Sequence, residues 1–496
     1  MLEQPCDTLE QNLNLLSLPP YFRLTWLESG VLRYRDRILR GGVLSTTLWL
    51  AWPIILANLV NISYNLVDAF WLGKLGASAF SAPTVSWPLI MFLHSVGMGL
   101  SFAGVTLISQ YVGAGSAELA RKSTGMFVGF MGSVSAVVMT IGLTLSPTLL
   151  KLMQIPPDVY PVAVNYITII FAGEPLIYMG FTFTSIVNGL GDTKTPTYLG
   201  IVSSLLNMVL DPILIFGWFG APAMGVSGAA LATIASRGLV GVTGLYLLVK
   251  GFRGLKIGLR DIRVEGWWLK KVVRVGGPLA IQHSANSLGF VVMASIVSRF
   301  GSAVIAAYGF GIRVIDIIQA FTWGVMRATS IMIGQNVGAE EYDRAERIVR
   351  RNLALISATL ALGALAIVAF REQLISFFIS DPAVVSEGSR FVLTFAPSIP
   401  FFGMFFVVGA VARGSGHTLP FTVISIIRLW LLRVGLSYIL AGSLGPLGIW
   451  LAMSVSNLGA GLISVAWVLR GTWKKRVIEI PRAREVLAAP QGGNGG

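Results

Sequence analysis

Apolar stretches long enough to cross a bilayer recur along nearly the whole chain, and no other feature constrains its fold as tightly. About 20 apolar residues in a helix cover the roughly 30 Å of hydrocarbon in a bilayer. A window of that length picks out twelve stretches in two sets of six. The first set lies near 44–72, 81–110, 123–150, 161–188, 196–218 and 225–249, and the second near 272–298, 303–337, 352–370, 386–412, 419–441 and 446–469. Backbone amides find no water at that depth, so each stretch must satisfy its own hydrogen bonds as a helix. The predicted class is an all-α membrane protein with twelve transmembrane helices in two six-helix bundles. Charge agrees, since 12% of the 496 residues are charged against about 25% in soluble domains.

The single Cys6 excludes a disulfide framework, and His94, His283 and His417 share no metal-ligand spacing. No cofactor is expected. The net charge of +14 reads as topology and not as a nucleic-acid surface. Of the 37 Lys and Arg, 27 fall in the N-terminal segment, the even-numbered connections and the C-terminal tail. Only four (Lys74, Lys151, Arg299, Arg371) fall in the odd-numbered ones. Both termini are therefore expected in the cytoplasm of a multi-pass cell-membrane protein.

The predicted organisation is an N-terminal segment (1–43), an N-lobe (44–249), a basic cytoplasmic linker (250–271), a C-lobe (272–470) and a tail (471–496). Residues 20–40 mix apolar residues with five arginines and suit a helix lying in the membrane interface. No cleavable signal is evident. The last residues, AAPQGGNGG, are expected to be disordered.

Sliding the chain against itself until Pro53 meets Pro278 superimposes other uncommon residues in the same register. Asn61 meets Asn286, Gly99 meets Gly324, SQYVGAG meets GQNVGAE, Pro175 meets Pro400 and Gly189 meets Gly414. Six helices is an even number, so the halves are parallel repeats related by an axis along the membrane normal. Two such bundles around a central cavity are the architecture of an alternating-access carrier.

Charge at membrane depth costs several kcal/mol, so intramembrane acids are the leads to function. In the first helix Asn58, Asn61, Asn65 and Asp68, with Tyr64, form one polar seam at helical spacing. In the fifth, Asn207 and Asp211 stack four apart before Pro212, and Thr233 on the sixth could face the same interior. The repeat places Met293 opposite Asp68, and Gly435 opposite Asp211 after a one-residue slip. Scaffold is duplicated but these acids are not, which favours a specialised ion site in the first half. Its carboxylates could carry a proton, or could ligate Na+ together with the Asn207 amide and the Thr233 hydroxyl. Pro53 removes a backbone hydrogen bond from the same helix and gives it a place to bend. Glu174 and Pro175 begin or interrupt the fourth helix, Arg313 and Asp316 suit an ion pair, and Arg428 and Arg433 are read as structural.

These residues resemble the MATE (multidrug and toxic compound extrusion) family over about residues 43–470. The resemblance is carried by WPIILANLVNISYNLVDAFWLGKLG, SQYVGAG with GQNVGAE, NGLGDTKTP with RGSGHTLP, and LLNMVLDPILIFG followed by GVSGAALATIAS. Within that family the chain is similar to the DinF-like branch. The resemblance implies a coupling-ion site at Asp68, Asn207, Asp211 and Thr233, a bend at Pro53, and a cavity lined by Tyr64 and Ser204, which Asn61 on the seam would join. It departs from the NorM-like branch, whose C-lobe acids are missing from the seventh helix here. The implied activity is export of amphipathic, often cationic, organic compounds in exchange for H+ or Na+, by a monomer among membrane lipids. The alternative is a flippase for lipids or lipid-linked saccharides, which would want a basic cavity for phosphate from Arg313, Arg327, Arg428 and Arg433. No nucleophile, base and metal constellation points to an enzyme.

Overall fold

The computed structural model describes residues 31–378 and 381–475. Part of the expected interfacial helix, 20–30, and the tail beyond 475 lie outside the described residues. Apolar runs without competing polar side chains form helices throughout. They are α1 (Val31–Arg40), α2 (Val43–Lys74), α3 (Ala77–Gly113), α4 (Ala117–Leu152), α5 (Tyr160–Ala172), α6 (Glu174–Gly189), α7 (Lys194–Phe216) and α8 (Val226–Lys250). The second half has α9 (Gly266–Val297), α10 (Ser302–Gly338), α11 (Tyr342–Ala369), α12 (Arg371–Phe378), α13 (Pro382–Phe395), α14 (Ile399–Ser415), α15 (Thr418–Ile426), α16 (Leu436–Leu444) and α17 (Pro446–Leu469). Among the described residues eleven spans, or twelve with α5 and α6 counted as one broken span bent by 48°, are long and apolar enough to cross a membrane. The protein is an all-α, multi-pass membrane protein.

Three spans are interrupted along their length. The α5–α6 span breaks at Gly173, where Pro175 in the first turn of α6 supplies no backbone donor. A short 3-10 turn at Ala396–Ser398 joins α13 to α14. Between α15 and α16, residues Ile427–Gly435 wind as a π-helix. Pro53, by contrast, sits inside α2 without interrupting it.

The lobes meet through repeat-related elements. Helix α2 packs on α10, and α3 packs on α9. At one end the duplicated motif interlocks. Gln110 Nε2 donates to the Gly414 carbonyl at 2.8 Å, and its repeat mate Gln335 Nε2 donates to the Gly189 carbonyl at 3.1 Å. A Cβ on Gly113 would overlap the Gln335 carbonyl, and one on Gly338 would overlap the Gln110 carbonyl. Two glycines therefore let the lobes touch backbone to backbone. Helix α1 is pinned across the same end. Its Arg35 donates to the Gly113 carbonyl at 2.8 Å, while Arg344 of α11 donates to the Ile38 carbonyl at 3.0 Å.

Candidate ion and substrate site

The polar seam of α2 forms as its spacing requires. Asn65 Nδ2 donates to Asn61 Oδ1 one turn earlier at 3.5 Å, and Asn58 Nδ2 reaches the Ala320 carbonyl of the C-lobe at 3.4 Å. Farther along, Asp68 keeps a buried Oδ1 that no hydrogen-bond donor meets. On α7, Asn207 and Asp211 are 2% and 0% exposed. Neither the amide of Asn207 nor the carboxylate of Asp211 has a hydrogen-bond partner. Asp211 lies within electrostatic reach of Asp68.

Two adjoining cavities open on this cluster. One of 190 Å³ is lined by Asn61, Tyr64, Ser204 and Asn207. The other, of 410 Å³, is lined by Tyr64, Asp68 and Thr233. Tyr64 and Arg237 belong to both walls, with the guanidinium 5.9 Å from the centre of the Tyr64 ring. Buried polar groups normally find partners, so an unpartnered carboxylate and amide on neighbouring turns are groups awaiting one. A proton would neutralise a carboxylate, whereas a hard cation would take the same oxygens with Thr233 Oγ1. No group of three or more His, Cys, Asp and Glu able to hold a metal occurs among the described residues.

The structure thus brings Asn61, Tyr64, Ser204 and Asn207 to the wall of the smaller cavity and Tyr64, Asp68 and Thr233 to that of the larger, with Asp211 one turn beyond Asn207 on α7. Pro53 is not part of the cluster, since it precedes Asp68 by fifteen residues of helix, about 22 Å. At the repeat position of Asp68, Met293 is buried in the C-lobe's apolar core.

Sequence reasoning missed Arg237 and His94 as members of this region and named Glu174 only as beginning or interrupting a helix. Arg237, one turn after Thr233, lines both cavities; that spacing of four was the available signal. His94 and Glu174 meet with Nε2 and Oε1 2.7 Å apart, their side chains 4% and 0% exposed. They belong to helices far apart in the sequence, and nothing local announces the encounter.

The C-lobe arginines have a different setting. Arg428 and Arg433 are buried and share one acceptor, Asn457 Oδ1, at 3.3 and 2.6 Å. Arg433 Nε also donates to Ser456 Oγ at 3.0 Å. Arg327 and Arg413 both face the Phe102 ring, 4.6 and 4.7 Å from its centre. No carboxylate among the described residues forms a salt bridge with any of these four. Arg313 lines the larger N-lobe cavity; the side chain of Asp316, its expected partner, lies outside the described residues.

The family model described as MatE matches residues 53–213 and 278–439, two stretches that begin at Pro53 and at its repeat mate Pro278. Among curated proteins, the chain is 30% identical over 432 residues to "Probable multidrug resistance protein YoeA" of Bacillus subtilis, covering 86% of this chain and 93% of that one. It is 24% identical over 429 residues to a protein of Shewanella oneidensis named FAD transporter, covering 86% and 95%. Among solved structures, the Vibrio cholerae MATE transporter VcmN in the bent form superimposes with a TM-score of 0.80 at 23% identity, covering 89% of this chain and 98% of that one.

Proposed function

The chain belongs to the MatE family of multidrug efflux transporters, and on that footing we propose that it is a secondary antiporter whose coupling ion binds in the N-lobe. It is a transporter and not an enzyme. In the proposed cycle an amphipathic, often cationic, organic compound leaves the cell as H+ or Na+ enters by alternating access. The observation that carries this reading is the asymmetry of the buried acids. Asp211 and Asp68 stand unpartnered within electrostatic reach of each other, with Asp68 on the wall of the larger cavity, while the other lobe holds Gly435 and Met293 at the repeat positions.

The steps follow from charge. Where the cavity opens outward, Asp68 and Asp211 take up a proton or Na+ from that side, and the electrostatic attraction for a cationic substrate falls. Where it opens inward, the ion leaves, and the freed carboxylates draw the next cation against the Tyr64 ring and the Asn61 and Ser204 side chains. Moving one charge down a 100 mV potential releases about 2.3 kcal/mol. With both termini cytoplasmic, as the distribution of Lys and Arg indicates, the interlocked Gln110–Gly414 and Gln335–Gly189 end is the cytoplasmic one. This conformation then faces outward. The protein acts as a monomer in the lipid bilayer, with Pro53 as the place where α2 bends when the ion binds.

Uptake of the lipophilic cation tetraphenylphosphonium into proteoliposomes, under an imposed pH gradient and separately under a Na+ gradient, tests the reading. One gradient is expected to drive accumulation above the level in protein-free vesicles. Accumulation under neither gradient by a folded protein would refute it. A second reading, flipping of a phosphate-bearing lipid, draws on the C-lobe arginines that share Asn457 without a salt-bridging carboxylate among the described residues. Scrambling of a fluorescent phospholipid in the same vesicles would favour it.

A further inference from the structure

Resting on the antiport reading, we propose that His94 and Glu174 form a second proton-binding site in the N-lobe, on the same cavity as Asp68 but separate from the Asp68–Asp211 cluster. Glu174 is the first residue of α6, immediately after the 48° break in its span. Broken helices at membrane depth place half-helix ends where ions or substrates bind, and the positive end of α6 favours a carboxylate there. His94 comes from α3 and lines the 410 Å³ cavity that also holds Asp68 and Thr233. Its Nε2 stands 2.7 Å from Glu174 Oε1, yet neither atom makes an aligned hydrogen bond, and Glu174 Oε2 has no hydrogen-bond partner either. The pair is close enough to share a proton, and burial makes its net charge costly to change without one.

The surroundings hold the two side chains in place. Tyr178 Oη donates to the Leu93 carbonyl at 3.0 Å and accepts from the Gly97 N–H at 3.1 Å, locking α6 against α3 on either side of His94. Phe181 meets the imidazole edge-on at 6.1 Å. The titratable and charged groups around the cavity are Tyr64 and Asp68 from α2, Tyr166 from α5, Arg237 from α8 and Arg313 from α10. Arg237 interacts electrostatically with Tyr64, Tyr166, Glu174 and Asp68, so one guanidinium serves both acidic centres.

The repeat separates this pair from scaffold. In the register that pairs Pro53 with Pro278, Pro175 meets Pro400 and Phe181 meets Phe406, but Glu174 meets Ile399 and His94 meets Gln319. In the C-lobe, Gln319 Oε1 merely accepts from the Trp323 indole at 3.2 Å. The proline and the aromatic ring are duplicated, while the sharp break and the titratable pair belong to the N-lobe, as do Asp68 and Asp211.

The step moves one proton between cavity water and the His94 Nε2–Glu174 Oε1 pair, with no other bond made or broken. The test uses the full-length protein in lipid. The pH-induced infrared difference spectrum is expected to contain a protonated-carboxyl band that Glu174→Gln removes and Asp68→Asn with Asp211→Asn leaves in place. His94→Gln, a check should the Glu174 variant fold poorly, is expected to shift the frequency of that band, because the Nε2 contact to Glu174 Oε1 is lost. In vesicles clamped at zero potential, Glu174→Gln should lower the substrate accumulation reached at equilibrium about tenfold per pH unit of gradient, the loss of one proton per cycle. A spectrum unchanged by Glu174→Gln, or a lost band with unchanged accumulation, would overturn the proposal. A Glu174-dependent band in a protein that shows no gradient-driven transport would support the proton site and sink the antiport reading instead.

Discussion

Asp211 is fully buried with both carboxylate oxygens unpartnered, and Asn207, one turn earlier, is in the same condition. Leaving buried polar groups unsatisfied costs on the order of 1–3 kcal/mol each, more if charged, so a purely structural role gains nothing from them. Asp211→Asn, which keeps the shape and drops the charge, should therefore leave the detergent melting temperature unchanged or higher. The same variant should slow gradient-driven transport at least tenfold, measured in vesicles of matched protein content. A melting temperature several degrees lower would make Asp211 a structural residue. Ser204→Trp, which fills the smaller of the two cavities, should weaken tetraphenylphosphonium binding tenfold or more by equilibrium dialysis while leaving the carboxylates in place. At this scale the sequence spoke through contrast. Asp68, Asn207 and Asp211 stand out because polar side chains are costly in an apolar run. His94 and Glu174 did not, because their meaning comes from a 2.7 Å contact between helices that spacing along the chain does not encode.

The π-helical stretch in the eleventh span shows what a run of residues can do that hydropathy does not report. In an α-helix, residues five apart point about 140° from one another. The wider i→i+5 winding of a π-helix instead brings such residues much closer to one face. Arg428 and Arg433 are five apart, and the winding turns both guanidiniums onto Asn457. Asn457→Leu removes their common acceptor and should destabilise the folded protein by about 2–3 kcal/mol, read from its denaturation midpoint in detergent. All twelve spans were visible in the sequence because length and apolarity decide them. The π-turn and the break at Gly173 were not, although Glu174 and Pro175 marked the latter, because each depends on what a neighbouring helix offers the backbone. Pro53 warns against the converse. A proline inside a membrane helix need not kink it, since α2 runs through it unbroken; any bend belongs to another state of the cycle.

At the scale of the whole molecule, the internal repeat becomes a physical symmetry in the paired Gln110–Gly414 and Gln335–Gly189 contacts. Gly113→Ala or Gly338→Ala would push a methyl group into the opposing carbonyl. Overpacking of this kind costs about 1–3 kcal/mol, equivalent to a roughly 5- to 150-fold shift toward the state in which this end is open. Spin labels across the Gln110 end should report longer distances in either variant than in the parent. The sequence showed the repeat but neither that its two copies meet nor that this end is closed, because a carrier's one sequence must suit both of its end states. The central claim is that the coupling ion binds at Asp68 and Asp211, and the most direct test separates coupling from transport. For Asp68→Asn combined with Asp211→Asn, substrate exchange in vesicles without any ion gradient should persist, while accumulation driven by the ion gradient falls to the share that the His94–Glu174 pair alone can drive. Accumulation in the double variant equal to that of the parent would contradict the account.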